Sequence, residues 1–348
     1  MNPSNFMQVI SITEFLEKGK TIPIVDVRSP GEFEKGHIPG AHSIPLFKDD
    51  ERAIVGTIYK QQGKKEAIEK GLEIVGPKML LLAKKAEEIA VDGKVQLHCW
   101  RGGMRSNRMA WLFEQLGLSC NVLEGGYKTY RTHLLECMSG LQNLVMLAGA
   151  TGSGKTAILH EMSAAKAQII DLEGLAGHRG SAFGWIGLPD QPSSQQFQNN
   201  LFAEVAKMDP SKPVWVESES LTIGRVYLPQ SFWDSMNVSQ SVEIGMSREV
   251  RVQRLVNEYG KMPVEDLKES IIKIQQNFGG NRVKESLEAL AESDLARVAE
   301  LLLEYYDKRY EFGRKKNRSG SEATVQSETG DPKVNAKLII KHWNERKR

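Results

Sequence analysis

The chain contains 348 residues, of which 40% are apolar and 26% are charged, and it carries three cysteines and a formal net charge of +2. This length and composition predict a soluble globular protein of about two domains. The cysteines Cys99, Cys120 and Cys137 are too few for a disulfide framework and lack the CxxC spacing of a zinc site. No apolar run reaches the roughly 18 residues of a membrane span, and residues 1–20 do not resemble a signal peptide. We therefore expect a cytoplasmic protein without a membrane partner.

The first part of the chain alternates strand-like and helix-like segments. Short apolar runs predict strands over residues 21–28 and 94–99, and another strand begins near residue 119. Apolar residues at helical spacing cover about 65–91 and 106–117. Because alternating strands and helices form parallel sheets, we predict an α/β domain over residues 1–137.

A second α/β domain is predicted over residues 141–312. Its first apolar run leads through a glycine-rich loop into a helix. Further strands are predicted over residues 167–173, 213–220 and 240–247. From about residue 248 the pattern is helical, with breaks near Gly260–Pro263 and Gly279–Gly280, which predicts a helical C-terminal extension of this domain.

The C-terminal end is basic, because residues 301–348 carry 12 basic and 7 acidic side chains. The polar stretch 313–333 predicts a loop or linker, and residues 334–348 predict a short amphipathic helix. We therefore treat 313–348 as a basic linker and helix. A basic end indicates a polyanionic partner, although a solvated tail has the same composition.

Cys99 leaves a predicted strand and enters a glycine-rich loop that leads into a helix, with the sequence His98-Cys99-Trp100-Arg101-Gly102-Gly103-Met104-Arg105-Ser106. Such a loop lets successive N–H groups converge on one point, and a helix N-terminus behind it favours an anion. This field should lower the pKa of the Cys99 thiol and favour the thiolate. We therefore predict Cys99 as a nucleophile. The predicted anion-binding groups are Arg101, Gly102, Gly103, Met104, Arg105 and Ser106.

The segment VDVRSPGEFEKGHIPGAHSIP, followed about fifty residues later by CWRGGMRS, resembles a rhodanese domain over residues 8–137. The residues that match its turn motif are Asp26, Arg28, Glu32, His37, Ile38, Pro39, Gly40 and Ala41, and Cys99 matches the persulfide-forming cysteine. Five residues separate Cys99 from Arg105, whereas sulfur-carrying rhodaneses usually have four. The wider loop resembles that of phosphatases sharing the fold and suits a tetrahedral, phosphate-like group. Sulfurtransferase, selenotransferase and phosphatase activities therefore stay open at this point.

Residues 149–156, GATGSGKT, match the pattern G-x-x-x-x-G-K-[ST] between an apolar strand and a helix. Backbone N–H groups of such a loop wrap a phosphate, Lys155 supplies a positive charge, and Thr156 can ligate Mg²⁺. The pattern predicts a P-loop NTPase-like fold that binds ATP or another substrate bearing a diphosphate. The predicted diphosphate-binding residues are Gly149, Thr151, Gly152, Ser153, Gly154, Lys155 and Thr156.

Two further segments follow predicted strand ends, which is where parallel sheets form sites. DLEGLAGHRGSAFG is rich in Gly, His and Arg, and VESES places carboxylates after a buried strand. A carboxylate here could serve Mg²⁺, although Asp is commoner than Glu in this role. The candidates for a second loop and an acidic site are Asp171, His178, Arg179, Ser181, Glu217, Glu219 and Arg225. Ordinary connections would have a similar composition.

The order of these motifs resembles the tRNA 2-selenouridine synthase family over nearly the whole chain, most strongly over residues 20–225. The resemblance implies a substrate tRNA with 2-thiouridine at the wobble position of the anticodon. It implies that the sulfur first receives a geranyl group from geranyl diphosphate, and that selenium from selenophosphate then replaces the S-geranyl group. It also implies a selenophosphate-producing enzyme as a partner and no tightly bound cofactor.

Within that resemblance, residues 149–156 would grip the diphosphate, and Lys155 would stabilise it as it leaves. Cys99 would attack selenophosphate or carry selenium as a selanylsulfide, while Arg101 and Arg105 neutralise the phosphate. Basic residues near the C-terminus would contact tRNA; these are Arg309, Arg314, Lys315, Lys316, Arg318, Lys341, Arg346, Lys347 and Arg348.

Three other functions compete with this one. A P-loop kinase or ATPase with a rhodanese regulatory or phosphatase-like module would turn over ATP in a manner that depends on Thr156 and on Glu217 or Glu219. A protein phosphatase fits the spacing from Cys99 to Arg105, but no Asp or Glu lies inside that loop to protonate a leaving group. A non-catalytic RNA-binding protein would need neither an intact thiol loop nor an intact phosphate loop.

Overall fold

A computed structural model describes residues 7–316 and 322–346. The chain divides into two compact units, Met1–Cys137 and Met138–Arg348. No helix within the described residues is both long and apolar enough to span a bilayer. The side chains of Arg314, Lys315 and Lys316, and the whole of Arg318, Lys347 and Arg348, lie outside the described part of the chain.

The first unit alternates strands and helices. Its elements are β1 (Gln8–Ile10), α1 (Ile12–Lys18), β2 (Ile24–Asp26), α2 (Pro30–Lys35), β3 (His42–Ser43), α3 (Asp49–Gln61), α4 (Lys64–Val75), α5 (Met79–Ile89), β4 (Lys94–His98), α6 (Met104–Glu114), β5 (Ser119–Leu123) and α7 (Gly126–Cys137). The predicted helix over 65–91 is wrong as a single element, because a short 3₁₀ turn at Gly76–Lys78 separates α4 from α5. Pro77 in that turn cannot donate the hydrogen bond that would continue α4.

The strands of this unit form a parallel sheet in the order β1-β5-β4-β2-β3. Parallel sheets are covered on both faces, and the apolar side chains of β4 and β5 are buried accordingly. Met109 and Phe113 of α6 are fully buried in the core beside Leu97. Burial of each such side chain contributes about 1.5–3 kcal/mol, so the packing holds α6 against the sheet.

The second unit is also an α/β structure. Its elements are β6 (Leu144–Ala148), α8 (Lys155–Ala164), β7 (Gln168–Ile170), α9 (Leu172–Ala176), α10 (Ser194–Val205), β8 (Val214–Glu217), β9 (Thr222–Ile223), β10 (Val226–Tyr227), α11 (Gln230–Val238), β11 (Gln240–Met246), α12 (Arg248–Tyr259), α13 (Val264–Lys273), α14 (Gln275–Phe278), α15 (Gly280–Ala291), α16 (Leu295–Lys316), β12 (Glu322–Ser327) and α17 (Pro332–Arg346). The predicted α/β fold with a helical region after β11 is confirmed.

The main sheet of this unit is parallel, with the order β12-β11-β6-β8-β7. The chain leaves β6 toward one side, through β7 and β8, and later returns to the other side with β11. Connections that diverge in this way leave a crevice at the carboxyl end of the central strand. The loop that follows β6 lies in that position.

The predicted linker over residues 313–333 is wrong. Helix α16 extends to Lys316, and β12 pairs in parallel with β11 as the outer strand of the sheet. The polarity misled the sequence analysis because an edge strand buries only one face: Ala323 and Val325 are partly buried, whereas Thr324 is exposed.

The C-terminal helix α17 belongs to the core of the second unit. Ile339 is fully buried, and the ring of Trp343 meets that of Trp215 edge to face at 5.3 Å. The basic extension is therefore integral to this unit.

Candidate functional site

The Cys99 loop begins directly after β4 and ends where α6 starts. Gly102 has a φ of +61°, and a Cβ there would lie 2.6 Å from the carbonyl oxygen of Leu123. Two carbonyl oxygens of the loop accept backbone hydrogen bonds from α7. Tyr127 N–H donates to Cys99 O at 2.8 Å, and Lys128 N–H donates to Trp100 O at 3.0 Å. Glycine is therefore needed at position 102 for the loop to pack against the start of α7.

The Cys99 sulfur is buried and accepts hydrogen bonds from its own loop. The Gly103 N–H and the Ser106 hydroxyl both donate to Sγ at 3.3 Å. Burial raises the pKa of the Cys99 thiol, but hydrogen bonds from Ser106, Gly103 and Arg101 outweigh it, so the pKa is lowered. A thiolate at the N-terminus of α6 is thus favoured, as the sequence predicted.

The two arginines of this loop have different surroundings. Arg101 is exposed and lines a surface cavity of about 450 Å³ with Lys128 and Thr132. Arg105 is held by Glu32: its Nη1 donates to Oε2 at 2.7 Å, and its Nη2 donates to Oε1 at 3.4 Å. Sequence reasoning placed Glu32 only in a turn motif and missed its contact with Arg105.

The Glu32 carboxylate forms ion pairs with two arginines. Arg52 Nε lies 3.0 Å from Glu32 Oε2, beside the contact from Arg105. Burial raises the pKa of Glu32, but the hydrogen bond and charge of Arg105, with smaller contributions from Ser29 and Arg52, hold it below its ordinary range. The carboxylate therefore stays ionised and fixes the direction of Arg105.

A buried ion pair between Arg28 and Asp26 lies next to Tyr127, whose N–H is bonded to the Cys99 carbonyl. Arg28 Nη2 lies 2.6 Å from Asp26 Oδ2 and donates to Gly36 O at 2.7 Å. The Arg28 guanidinium also stacks 3.8 Å from the centre of the Tyr127 ring. Burial lowers the pKa of the neighbouring His98, which favours its neutral form. Arg28 of the rhodanese turn motif therefore contacts the Cys99 loop indirectly, through the ring of Tyr127.

The phosphate loop joins β6 to α8, as its sequence predicted. Gly152 and Gly154 have φ values of +82° and +73°, which other residues rarely adopt. Lys155 Nζ donates to Gly149 O at 3.0 Å, so the ammonium folds over the loop. Thr156, at the first turn of α8, donates its hydroxyl to Glu173 Oε2 at 2.6 Å.

Glu173 was missing from the acidic candidates, although it lies within the quoted segment DLEGLAGHRGSAFG. Burial raises the pKa of Glu173, whereas the Thr156 hydrogen bond and the charge of Lys155 act in the opposite direction. Oxygen ligands of this kind suit Mg²⁺. The described residues hold no group of three or more His, Cys, Asp and Glu side chains placed to bind a metal ion by themselves.

Asp171 and Glu217 occupy the ends of adjacent strands. Asp171 caps α9 by accepting from Gly174 N–H at 2.7 Å, and Glu217 accepts from Leu172 N–H at 2.9 Å. Burial, followed by the negative charge of Asp171, raises the pKa of Glu217 well above its ordinary value. Glu217 is thus a buried support for α9, and its surroundings favour the neutral form of its carboxyl.

The second predicted loop, DLEGLAGHRGSAFG, is held by local hydrogen bonds. Arg179 donates to Ile186 O at 3.0 Å, and Ser181 accepts from Phe183 N–H at 3.2 Å. His178 is buried, and burial followed by the charges of Arg179 and Arg225 lowers its pKa. The Arg225 side chain is exposed.

A cleft of about 990 Å³ brings most of these groups together. Its polar lining residues include Gly149, Thr151, Gly152, Gly154, Lys155, Thr156, Asp171, Glu173, Arg179, Ser181, Glu219 and Arg254. Its apolar lining residues include Phe183, Ile186, Leu188, Leu255, Met262 and Pro263. Of the candidates predicted in the phosphate loop, the second loop and the acidic site, Ser153, His178, Glu217 and Arg225 do not line it.

The fold and the two loops define a protein in which a rhodanese-like unit is joined to a P-loop unit. A rhodanese-like domain model matches residues 11–133, and a model described as the tRNA 2-selenouridine synthase AAA domain matches residues 142–331. The chain belongs to the tRNA 2-selenouridine synthase family.

Curated relatives support the same assignment. A tRNA 2-selenouridine synthase from Nitrosomonas europaea is 38% identical over 245 residues, covering 68% of this chain and 63% of that protein. One from Shewanella denitrificans is 34% identical over 342 residues, covering 88% of this chain and 92% of that protein. A solved N-terminal domain from a Clostridium difficile 630 protein is 44% identical, covers 37% of this chain and 99% of that domain, and has a TM-score of 0.34.

Proposed function

We propose that the chain converts wobble 2-thiouridine in tRNA to 2-selenouridine by way of an S-geranyl intermediate. Geranyl diphosphate would supply the geranyl group, and selenophosphate would supply selenium. The observation that carries this proposal is the cleft of the second unit, whose lining combines the glycine-rich loop with several apolar side chains. Membership of the family supports the formation of 2-selenouridine in tRNA.

The lining of the cleft suits both parts of a prenyl diphosphate. N–H groups of the glycine-rich loop and the Lys155 ammonium are suited to a diphosphate. Leu188, Met262 and Pro263 line the cleft, are not buried and offer apolar contacts to the prenyl chain, and each buried methylene contributes roughly 0.8 kcal/mol. A nucleotide base also packs on apolar side chains, so the reaction products decide between prenyl transfer and ATP turnover.

In the first step, a lone pair of the thiouridine sulfur forms a bond with geranyl C1. The C1–O bond breaks, its electron pair stays on the diphosphate, and the proton of the thiouracil N3 passes to water. Lys155 and the loop N–H groups stabilise the charge that develops on the diphosphate. Mg²⁺, when bound, would neutralise further charge, and the oxygens of Thr156 and Glu173 could hold it.

In the second step, selenium of selenophosphate adds at C2 of the base and the geranyl thiolate leaves. The Cys99 thiolate then attacks phosphorus, and the Se–P bond breaks with its electron pair on selenium, which gives 2-selenouridine. Water hydrolyses the resulting thiophosphate. The five-residue spacing from Cys99 to Arg105 favours this step, because it fits a tetrahedral phosphate. A selanylsulfide on Cys99 would instead require an oxidant.

The deciding experiment is mass spectrometry of tRNA nucleosides after incubation with geranyl diphosphate and selenophosphate, each alone and together. We expect S-geranyl-2-thiouridine with geranyl diphosphate alone and 2-selenouridine with both. ATP turnover that depends on Thr156, without either nucleoside, would replace this proposal with the kinase or ATPase reading.

Basic residues near the C-terminus are proposed to contact the tRNA phosphates. Truncation after residue 312 would remove β12 and α17 together with the buried Ile339, so it would unfold the second unit rather than test binding. Substitution of Lys341 and Arg346 by Gln tests the contact without that damage. Each lost phosphate contact should reduce the log–log salt slope of tRNA binding by about 0.7–0.9, measured by fluorescence anisotropy. An unchanged slope would leave these side chains merely solvated.

A further inference from the structure

Helix α12 places two arginines, Arg251 and Arg254, against the phosphate loop. Arg251 donates to Thr151 O at 3.2 Å and is neutralised by Asp307, whose carboxylate oxygens lie 2.7 and 2.9 Å from its guanidinium. Arg254 donates to Gly152 O at 3.2 Å and to Gly330 O at 2.5 Å. Among the residues whose side chains are described, 7–310 and 323–346, no carboxylate forms an ion pair with Arg254. The hydrogen bonds given for its guanidinium there go to the neutral carbonyls of Gly152 and Gly330.

The position of Arg254 is as specific as its charge. A Cβ at Gly154 would overlap the Arg254 guanidinium, so this group lies directly over the last glycine of the phosphate loop. Arg254 also lines the same cleft as Gly152, Gly154 and Lys155. A half-buried guanidinium at this place can reach an anion held by the loop. Its planar fork of donors matches two phosphate oxygens at once.

We propose that Arg254 is a further catalytic residue, which binds the diphosphate in the cleft and stabilises it as a leaving group. This inference rests on the proposed geranyl transfer. When the C1–O bond breaks, the diphosphate gains one negative charge, and an anionic oxygen competes well with the carbonyls of Gly152 and Gly330 for the guanidinium. Arg254 would thus act from outside the loop, opposite the N–H groups and Lys155.

The first test compares Arg254→Gln and Arg254→Lys with Arg248→Gln in the full chain. Arg248 is an exposed residue of the same helix whose side chain donates to Glu300 O, away from the cleft lining. Single-turnover geranyl transfer to tRNA should fall about 10²–10³-fold in Arg254→Gln, as for the loss of a transition-state donor. Arg254→Lys should restore part of the rate, and Arg248→Gln should stay within about twofold of the unmodified chain.

Two further readouts separate chemistry from folding. Selenium exchange on tRNA that already carries S-geranyl-2-thiouridine should be unchanged in Arg254→Gln, because this step has no diphosphate. Binding of inorganic diphosphate, measured by calorimetry, should weaken at least tenfold, equivalent to about 1.4 kcal/mol. Geranyl transfer and diphosphate binding both within about threefold of the unmodified chain would overturn the role of Arg254. Equal loss of both half-reactions would make Arg254 structural and would also overturn it.

A different result would contradict the proposed function itself. If the unmodified chain produces no geranylated nucleoside, the geranyl-transfer proposal is lost. The diphosphate-binding comparison then still decides whether Arg254 contacts a diphosphate.

Discussion

The Cys99 loop and the phosphate loop have the same local architecture but opposite electrostatics. Each joins a buried parallel strand to a helix, and each uses glycine at positive φ, at Gly102 in the first loop and at Gly152 and Gly154 in the second. Around Cys99, hydrogen bonds lower the pKa of the thiol, and the hydrogen bond and charge of Arg105 lower the pKa of Glu32. Around the phosphate loop, burial and neighbouring carboxylates raise the pKa of both Glu173 and Glu217.

This electrostatic difference indicates that the same strand–loop–helix arrangement serves two different purposes. In the first loop, the Gly103 N–H donates to the chain's own Cys99 sulfur. Under the proposed function, the second loop would offer its N–H groups to an external anion, and Thr156 and Glu173 would hold an added cation. We therefore expect the geranyl-transfer step to depend on Mg²⁺ and the selenium step to depend on the thiolate.

The largest expected effect is from Cys99→Ser. Loss of the nucleophile should slow selenium incorporation into geranylated tRNA by about 10⁴-fold or more, because an alcohol is not ionised near neutral pH. Geranyl transfer should be unaffected, since it uses the other loop. The exposed thiol offers a control, Cys137→Ser, with both rates retained. A Cys99→Ser chain that exchanges selenium at the normal rate would remove Cys99 from the reaction.

Lys155→Ala should have the next largest effect, on the opposite half-reaction. Loss of the ammonium should reduce geranyl transfer about 10²–10³-fold, measured by single-turnover mass spectrometry, because the leaving diphosphate loses its closest cation. Selenium exchange on geranylated tRNA should stay normal. Lys207→Ala, which removes an exposed ammonium paired with Glu204, is the matched control. Similar losses in both half-reactions would contradict the division between the loops.

Glu32→Gln tests how the Cys99 loop uses Arg105. The neutral amide keeps the shape of the side chain but weakens a charge-assisted contact worth about 1.5–3 kcal/mol, so selenium exchange should fall about tenfold. Glu34→Gln, on the exposed side of the same helix, should leave the rate unchanged. If Glu32→Gln instead accelerates exchange, the ion pair restrains Arg105 rather than positioning it.

Glu217→Gln should change stability rather than rate. The folded-state pKa of Glu217 lies above its ordinary value of 4.5, so folding takes up a proton between the two values. The stability contributed by the neutral carboxyl is fully present below pH 4.5 and is lost as pH rises through the folded-state pKa.

Urea unfolding between pH 4 and 9 tests this contribution. The unfolding free energy of the unmodified chain should decline relative to Glu217→Gln, by at most about 1.4 kcal/mol per pH unit. The exposed control Glu288→Gln should show no such divergence. Parallel curves for the unmodified chain and Glu217→Gln would show that burial does not hold this carboxyl neutral.

The α/β class and the two glycine-rich loops follow from the sequence alone. These are local features: an apolar strand, a glycine-rich turn and a helix start lie within about fifteen residues, so their backbone geometry follows from neighbouring residues. The same locality explains why Cys99, Lys155 and Thr156 could be named before their contacts were known. Their assigned chemical roles stay predictions.

The side chains that surround those loops depend instead on the tertiary fold. Glu32 reaches Arg105 across 73 residues, and Arg254 reaches Gly152 across 102. Strand β12 was hidden for the same reason, because its pairing with β11 joins residues distant in the sequence, and its polar outer face resembles a linker. Local patterns specify backbone geometry, whereas charge balance and strand partners depend on which distant segments the fold brings together.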